Sequence, residues 1–554
     1  MRSVRSGERT STRWVGLFLI GLLTTGITAP AGAQRFLPDD PLWSDPDRMD
    51  MPFPEPQSAE GGGGPVEFVR RMFRMSTVEA SPAVNVNTVE GVPNSTWYTN
   101  RHFHAPMSPE QLRRGPNASP GPSLDGAWRV DEFRAGALPG ATVRDSTGRR
   151  FRLLMDASAH PELATGAAMV SSRLLHALGY NVPQYWLRSI DRDRLTPGAD
   201  TAVTAAAIDS LFRRAPRRAG STYRVLLSRI PDVERRIGPF SFRGSRVDDA
   251  NDVFPHEHRR ELRALRVVAA WIHHSMIRRR HTLDVGVRED NRRFVRHYLT
   301  DLHLTLGSAG ADPKPRWSGH EHLLELDQVI QRIATVGLSG GDWADTVVPD
   351  WPGVGHFESG GFVPQTWRPE WPNPAFRRAT PADAFWAAKK IRHLSRSDIA
   401  AIVKAADYSS PATENYIIQT LLLRRNAIGR AYLPWGGGLG RFDIEGEQLH
   451  FRDFLAHHRY AADSLTRTVT WHVFDNQENE VGRRLTRVTT EEEAIPVPPS
   501  RAAFLRVRLQ SGKGGETRVF LRRTISQTTA LPPMSMPYEV VGVERSGSVT
   551  DPGS

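Results

Sequence analysis

The stretch from Trp271 to Asp301 constrains this chain more than any other. An amphipathic helix ends in Trp-Ile-His-His-Ser-Met-Ile-Arg-Arg-Arg-His, two short strands follow at Leu283–Val287 and Phe294–Leu299, and the second runs into Asp301. Antiparallel strands joined by a tight turn bring the chain back to where it left. The order sets a polar loop carrying Met276 and His281 between the helix and a hairpin that ends at Asp301. Helices and strands in separate runs along the chain point to an α+β fold.

At 554 residues the chain exceeds what one core serves, and two or three domains are expected. Residues 1–33 read as a secretory signal peptide. Arg2, Arg5, Arg9 and Arg13 precede the apolar Val15–Ile27, and Ala31-Gly32-Ala33 supplies a small-residue cleavage site, so the mature protein starts at Gln34 and is exported, periplasmic or extracellular. The competing reading, a membrane anchor, needs about 20 apolar residues, and Gly21, Thr24, Thr25 and Gly26 interrupt this run. No later stretch reads as a transmembrane segment. The chain is cysteine-free, which excludes disulfides, a thiolate nucleophile and a thiolate metal site. The net charge of +11 would suit nucleic acid. Yet the arginines are scattered over helices and turns, no lysine precedes Lys314, and no basic stripe interleaved with aromatics is present, so the charge reads as a compositional habit and not as the footprint of a nucleic-acid partner.

Composition divides the rest. Residues 34–84 read as a Pro/Gly-rich linker, closing on Gly61–Gly64. Residues 85–235 open with an irregular lead-in and continue as a β-rich unit. Its strands are Trp128–Phe133, Ala141–Asp145 and Arg150–Asp156, then Tyr185–Ile190 and Thr222–Ser228 on either side of a polar insertion at 196–214. Between the two groups lies a helix that starts at Pro161-Glu162, carries Leu163, Ala167, Val170, Leu174 and Leu178 on one face, and stops at Gly179. Residues 236–435 are mainly helical. Over Glu257–His273 the period places Leu262, Leu265, Val268 and Ile272 inward and Arg259, Arg260, Arg263 and Arg266 outward. Further helices are expected at Pro381–His393, Arg396–Lys404 and Ala412–Ala431, a hinge at 436–440, and a β-sandwich-like domain over 441–548.

Phe151–Tyr180, the run Ile237–Asp252, the block Pro255-His-Glu-His-Arg-Arg-Glu-Leu-Arg263 and His297–Ser308 resemble a family of uncharacterised exported bacterial proteins, and the likeness continues through Phe376–Tyr432. It covers most of the mature chain and implies no particular activity. More distantly, the loop-hairpin-aspartate order resembles protein kinases of the HipA and CotH type. That resemblance implies a two-lobed protein-kinase-like domain, with a small β-rich N-lobe and a helical C-lobe, followed by a small all-β C-terminal domain.

The kinase resemblance also assigns places. The phosphate-binding lysine falls at Met155, the catalytic base at Met276, the second metal ligand at His281 and the magnesium-binding aspartate at Asp301. Methionine accepts no proton, and with no lysine upstream of Lys314, Arg150 or Arg152 would have to replace the missing cation. Glu162 either pairs with that cation or serves as a helix N-terminal acid. Asp301 either binds a divalent cation beside His281 or caps the turn that follows. Ser275 and Asp284 are the next polar candidates.

A rival enzyme reading starts from His256-Glu-His258 and His320-Glu-His322, whose histidines either hold a metal or make ordinary hydrogen bonds. No Gly-x-Ser-x-Gly elbow supports a serine hydrolase. The Phe357–Phe376 segment, with Trp367 and Trp371, is either a cover over the helical unit or a ligand-binding surface. The expectation is an exported kinase-like pseudoenzyme that binds an unidentified small ligand or protein. Its alternative is a metal-dependent enzyme, an atypical phosphotransferase or a hydrolase, centred on Asp301 and nearby histidines.

Overall fold

The computed structural model describes residues 34–57, 79–199, 202–320, 346–460, 466–511, 515–524 and 538–546. The signal segment 1–33 and His322 lie outside the described residues. The fold is α+β. Among the described residues, no helix is long and apolar enough to cross a membrane.

Short alternating strands build the first sheet. β1 (Trp128–Phe133), β2 (Gly140–Arg144), β3 (Arg150–Leu154), β4 (Gln184–Ile190), β5 (Leu195–Pro197) and β6 (Tyr223–Arg229) lie in the order β4-β6-β3-β2-β1-β5. A short helix, α1 (Pro109–Arg114), precedes them, and α2 (Leu163–Leu178) links β3 to β4, buried along almost its whole length. The polar insertion folds as α3 (Ala205–Arg213), whose Ile208, Leu211 and Phe212 cover one face of the sheet against Trp128, Phe151, Leu153 and Met155. Strand parity then sends Arg150, Arg152 and Leu154 to the other face. Met155, the place assigned to the phosphate-binding lysine, therefore sits in a dry core on the wrong side of the sheet.

Glu162 is corrected too. It adopts a left-handed backbone with φ 66° just before α2, pairs with Arg218 at 2.9 Å, and accepts from the Ser409 backbone N–H at 2.9 Å. The acid that serves the α2 N-terminus is Asp156, which accepts from the N–H groups of Ala164 and Thr165, each at 2.9 Å, and from Thr165 Oγ1 at 2.6 Å.

The second sheet runs β7 (Val233–Gly238), β8 (Thr282–Glu289), β9 (Arg292–Leu299) in that order. Before β8 comes α4 (Arg260–Trp271); after the sheet come α5 (Pro374–Arg377), α6 (Pro381–His393), α7 (Arg396–Lys404) and α8 (Pro411–Tyr432). Leu174 of α2, Leu265 of α4, Trp386 of α6, Ile402 of α7 and Leu421 of α8 share one core. Three of the four arginines expected to face outward on α4 and its leading turn are instead buried. Arg259 and Arg263 are 0% exposed and Arg260 6%. Arg260 Nε donates to Asp383 of α6 at 3.1 Å, Arg263 lies 3.7 Å from the same carboxylate, and Arg259 is 3.4 Å from Asp252. A guanidinium can be buried when carboxylates meet it, and Asp383 is invisible to a local pattern because it arrives from another helix.

β10 (Leu439–Glu445), β11 (Gln448–Asp453) and β14 (Ala494–Pro496) form a three-stranded sheet; α9 (Phe454–His457) follows β11. β12 (Arg467–Asp475), β13 (Glu480–Thr490), β15 (Phe504–Ser511), β16 (Glu516–Arg523) and β17 (Tyr538–Ser546) form a five-stranded one, ordered β13-β12-β15-β16-β17. Leu449 and Phe451 of the first pack with Trp471 and Val507 of the second. The expected hinge is a fixed turn: Gly436, Gly437 and Gly438 are buried at φ 62°, 81° and 73°, values that favour glycine, and Thr517 Oγ1 donates to Gly436 O at 2.7 Å.

The expected linker also needs correction over residues 34–57. Phe36 inserts among Phe474, Phe504 and Phe520 at centroid distances of 6.2, 6.3 and 5.1 Å. Farther along, Met51 N–H donates to Arg293 O at 3.0 Å and Gln57 N–H to Ile237 O at 2.6 Å. This segment straps the C-terminal sheets to β7 and β9.

Candidate functional site

The loop after α4 is fixed from both ends. His274 N–H donates to Ala269 O at 2.7 Å, prolonging the last turn of α4, and Trp271 Nε1 donates to Leu421 O at 2.9 Å. At the far end, His281 N–H donates to Arg278 O at 2.8 Å and Thr282 Oγ1 to Phe240 O at 2.9 Å. The β8–β9 register pairs Thr282 with Leu299, so the next step of the ladder has Thr300 N–H donating to His281 O at 2.9 Å. That bond sets Asp301 beside His281. Met276, His281 and Asp301 consequently line one cleft, of about 1030 Å³, roofed by β1, β2, β3 and β6 of the first sheet and edged by β7.

Asp301 holds a left-handed backbone, φ 54° and ψ 40°, and its carbonyl accepts from Leu304 N–H at 3.1 Å to close the following turn. The carboxylate itself makes no cap; its Oδ2 accepts from Thr300 Oγ1 at 3.2 Å. His281 is buried, and burial first and His274 second hold its pKa well below the usual imidazole value, so the ring is neutral. Its Nε2 accepts from Arg280 Nε at 3.0 Å, while Nδ1 has no hydrogen-bond partner among the described residues. His303 shares the cleft, its pKa also lowered by burial. Met276 is half-buried at the wall and offers neither proton acceptor nor charge.

Other candidates stand elsewhere. Asp284 is fully buried away from the cleft, accepting from His297 Nδ1 at 2.7 Å and from Arg246 Nη1 at 3.3 Å. Trp367 lies in the main core against Gly319 and His273. Trp371 is half-buried with Arg278 4.7 Å above its ring. Neither indole reaches the cleft. His256 donates to Asp252 at 2.6 Å, and His258 accepts from Arg263 at 3.0 Å, which are structural roles. Among the described residues, no three or more His, Asp or Glu side chains converge as a metal-ligating group.

Ser275, next to Met276, belongs to a buried knot. Lys314 Nζ donates to Ser275 Oγ at 2.7 Å and to His273 O at 2.8 Å, while Ser275 and Ser318 each donate to Glu370 at 2.9 Å. Burial lowers the Lys314 pKa to about 7. The knot ties the loop to two later segments and leaves Ser275 committed.

Sequence reasoning passed over the cleft's most prominent feature. Eight arginines line it against three carboxylates. Arg152 comes from β3, Arg134 follows β1 and Arg236 comes from β7, so three separate strands deliver charges whose convergence only the folded sheet order creates. The parity of Phe151, Leu153 and Met155 was the one legible signal, since it assigns Arg152 to the opposite face. No family model, curated protein or solved structure matches this chain, which leaves the cleft to carry the functional reading.

Proposed function

We propose that this protein is an exported, kinase-like pseudoenzyme that binds a ligand in the cleft beside Asp301 without turning it over. The carrying observation is that Met276, where a base would stand, lines the same cleft as Asp301. Supporting the two-lobed reading, β1-β2-β3-β6-β4 are consecutive neighbours with α2 inserted between β3 and β4, and the loop, hairpin and aspartate lie across the cleft from them. No acidic residue occurs on α2, so the usual lysine–glutamate pair has neither member. Lack of a positioned base alone costs about 10²–10⁴ in rate.

Incubation of the mature protein with radiolabelled ATP and magnesium or manganese is expected to give no phosphoryl transfer above background. Robust transfer that disappears in Asp301→Ala would overturn the reading. It would favour instead a metal-dependent enzyme, for which the shared wall of Asp301, His281 and His303 is the supporting observation.

A further inference from the structure

We propose that the cleft is a metal-independent site for a small polyanion, a molecule with two or more adjacent oxyanion groups held directly by Arg134, Arg152 and Arg236. The inference rests on the reading of this cleft as a binding site and names the chemistry of what it binds.

Several arginines in and around the cleft are matched. Arg144 and Arg150 share Asp131 at 3.1 and 3.2 Å, Arg149 holds Asp145 at 3.0 Å, and Arg288 holds Glu234 at 2.7 Å. The guanidinium groups of Arg134, Arg152 and Arg236 differ: none makes a hydrogen bond or ion pair with a described residue, although all three border the cleft. The excess is local: with Arg144, Arg149 and Arg150 committed to Asp131 and Asp145 and Glu234 committed to Arg288, five arginines face two carboxylates in the cleft, against 72 lysines and arginines to 61 acids in the whole chain. A compositional habit would give the chain-wide ratio.

The three charges act on one another. Partial burial first and Arg152 second lower the Arg134 pKa, and burial followed by Arg152 and Arg134 lowers that of Arg236, with Asp301 opposing in both cases. A guanidinium does not relieve such repulsion by losing its proton; Arg134 and Arg236 are exposed and Arg152 half-buried, so water screens the charges in part and a counter-anion relieves them further. Asp301, joined at Arg134 by Glu132, supplies two negative charges against three positive ones. Planar forks that donate in pairs match carboxylate and phosphoryl oxygens, and the volume of about 1030 Å³ is ample for a ligand larger than a single phosphate.

The same charges argue against a metal bridge. Magnesium needs octahedral oxygen coordination, while Asp301 stands among arginines whose field repels a divalent cation. Direct guanidinium–oxyanion bonds do not need the metal.

Isothermal titration of the mature protein in EDTA, with inorganic tripolyphosphate and separately with citrate, tests the proposal and distinguishes phosphoryl from carboxylate ligands. Saturable binding of at least one probe is expected, weakening as salt rises. Arg152→Ala and Arg236→Ala should each weaken it by about tenfold or more. Arg152→Lys should fall between, and Arg192→Ala, remote from the cleft, should leave it unchanged. No binding of either probe, binding only with added magnesium, or wild-type affinity retained in both alanine variants would overturn it. Phosphoryl transfer in the radiolabel assay would instead overturn the pseudoenzyme reading, so the two can fail separately.

Discussion

Replacing Lys314 with methionine should remove a pH dependence of stability that this one amine creates. Lys314 is 3% exposed, and burial brings its pKa from 10.5 to about 7. Two acceptors face Nζ, Ser275 Oγ and His273 O. They match the two N–H groups of a neutral amine, and an ammonium has a third to place. Between pH 7 and 10.5 the unfolded chain holds a proton here that the folded chain has released. Folding stability from this group therefore rises with pH across that window, by about 1.4 kcal/mol per unit, and below pH 7 the cost of the buried charge is fully present. The stability of wild type minus that of Lys314→Met should climb by about 2–3 kcal/mol from pH 7.5 to 9.5. Methionine also leaves two acceptors without a donor, at about 1–3 kcal/mol, but that offset does not change with pH. Urea unfolding followed by tryptophan fluorescence at several pH values reads the difference. Parallel pH profiles for the two proteins would refute the argument.

Asp383→Ala should destabilise the helical unit by about 3–5 kcal/mol, because it strands two buried guanidiniums, and Asp383→Asn should recover about 1 kcal/mol of that by keeping an acceptor for Thr380 at the start of α6; a urea-measured loss under about 1 kcal/mol in the alanine variant would contradict the pairing seen at Arg260 and Arg263. Export predicts a mature N-terminus at Gln34, read by N-terminal sequencing of protein from the native host, and an intact Met1 in the cytoplasm would reject it.

What the sequence conveyed was local. The hairpin, the helices from Pro381 onward and the α+β class follow from period and turn chemistry acting over a few residues, whereas the places of Met276, His281 and Asp301 come only with the kinase resemblance and their shared cleft only with the folded ladder. What it concealed depends on partners from afar. Arg259, Arg260 and Arg263 look like a solvated face until Asp252 and Asp383 are brought to them. Residues 34–57 look like a linker because proline dominates their composition, whereas a few anchors, Phe36 among them, decide where they lie. Met155 falls in the lysine's place by its distance from the following helix, and the parity of β3 overrides such a count. The cleft's arginines are indistinguishable from the rest of the positive charge, because a tally of charges along a chain carries no information about which of them lack carboxylates in space.

The knot at Ser275 and the cleft charges point the same way. Lys314, Ser318 and Glu370 hold the residue beside Met276, and the β8–β9 ladder holds Asp301 beside His281, so the wall of the cleft is rigidly placed. For phosphoryl transfer such placement is of little use when the position facing the substrate is a thioether, since orientation aids a reaction only if an acid or base is there to be oriented. For binding, the identity of Met276 matters far less. A site whose groups are already held in place avoids part of the ordering cost that weakens association, and on the proposed reading the guanidiniums of Arg134, Arg152 and Arg236 supply the charge complementarity. A scaffold that fixes this geometry while omitting the base therefore favours the proposed role, holding an anion, over transforming one.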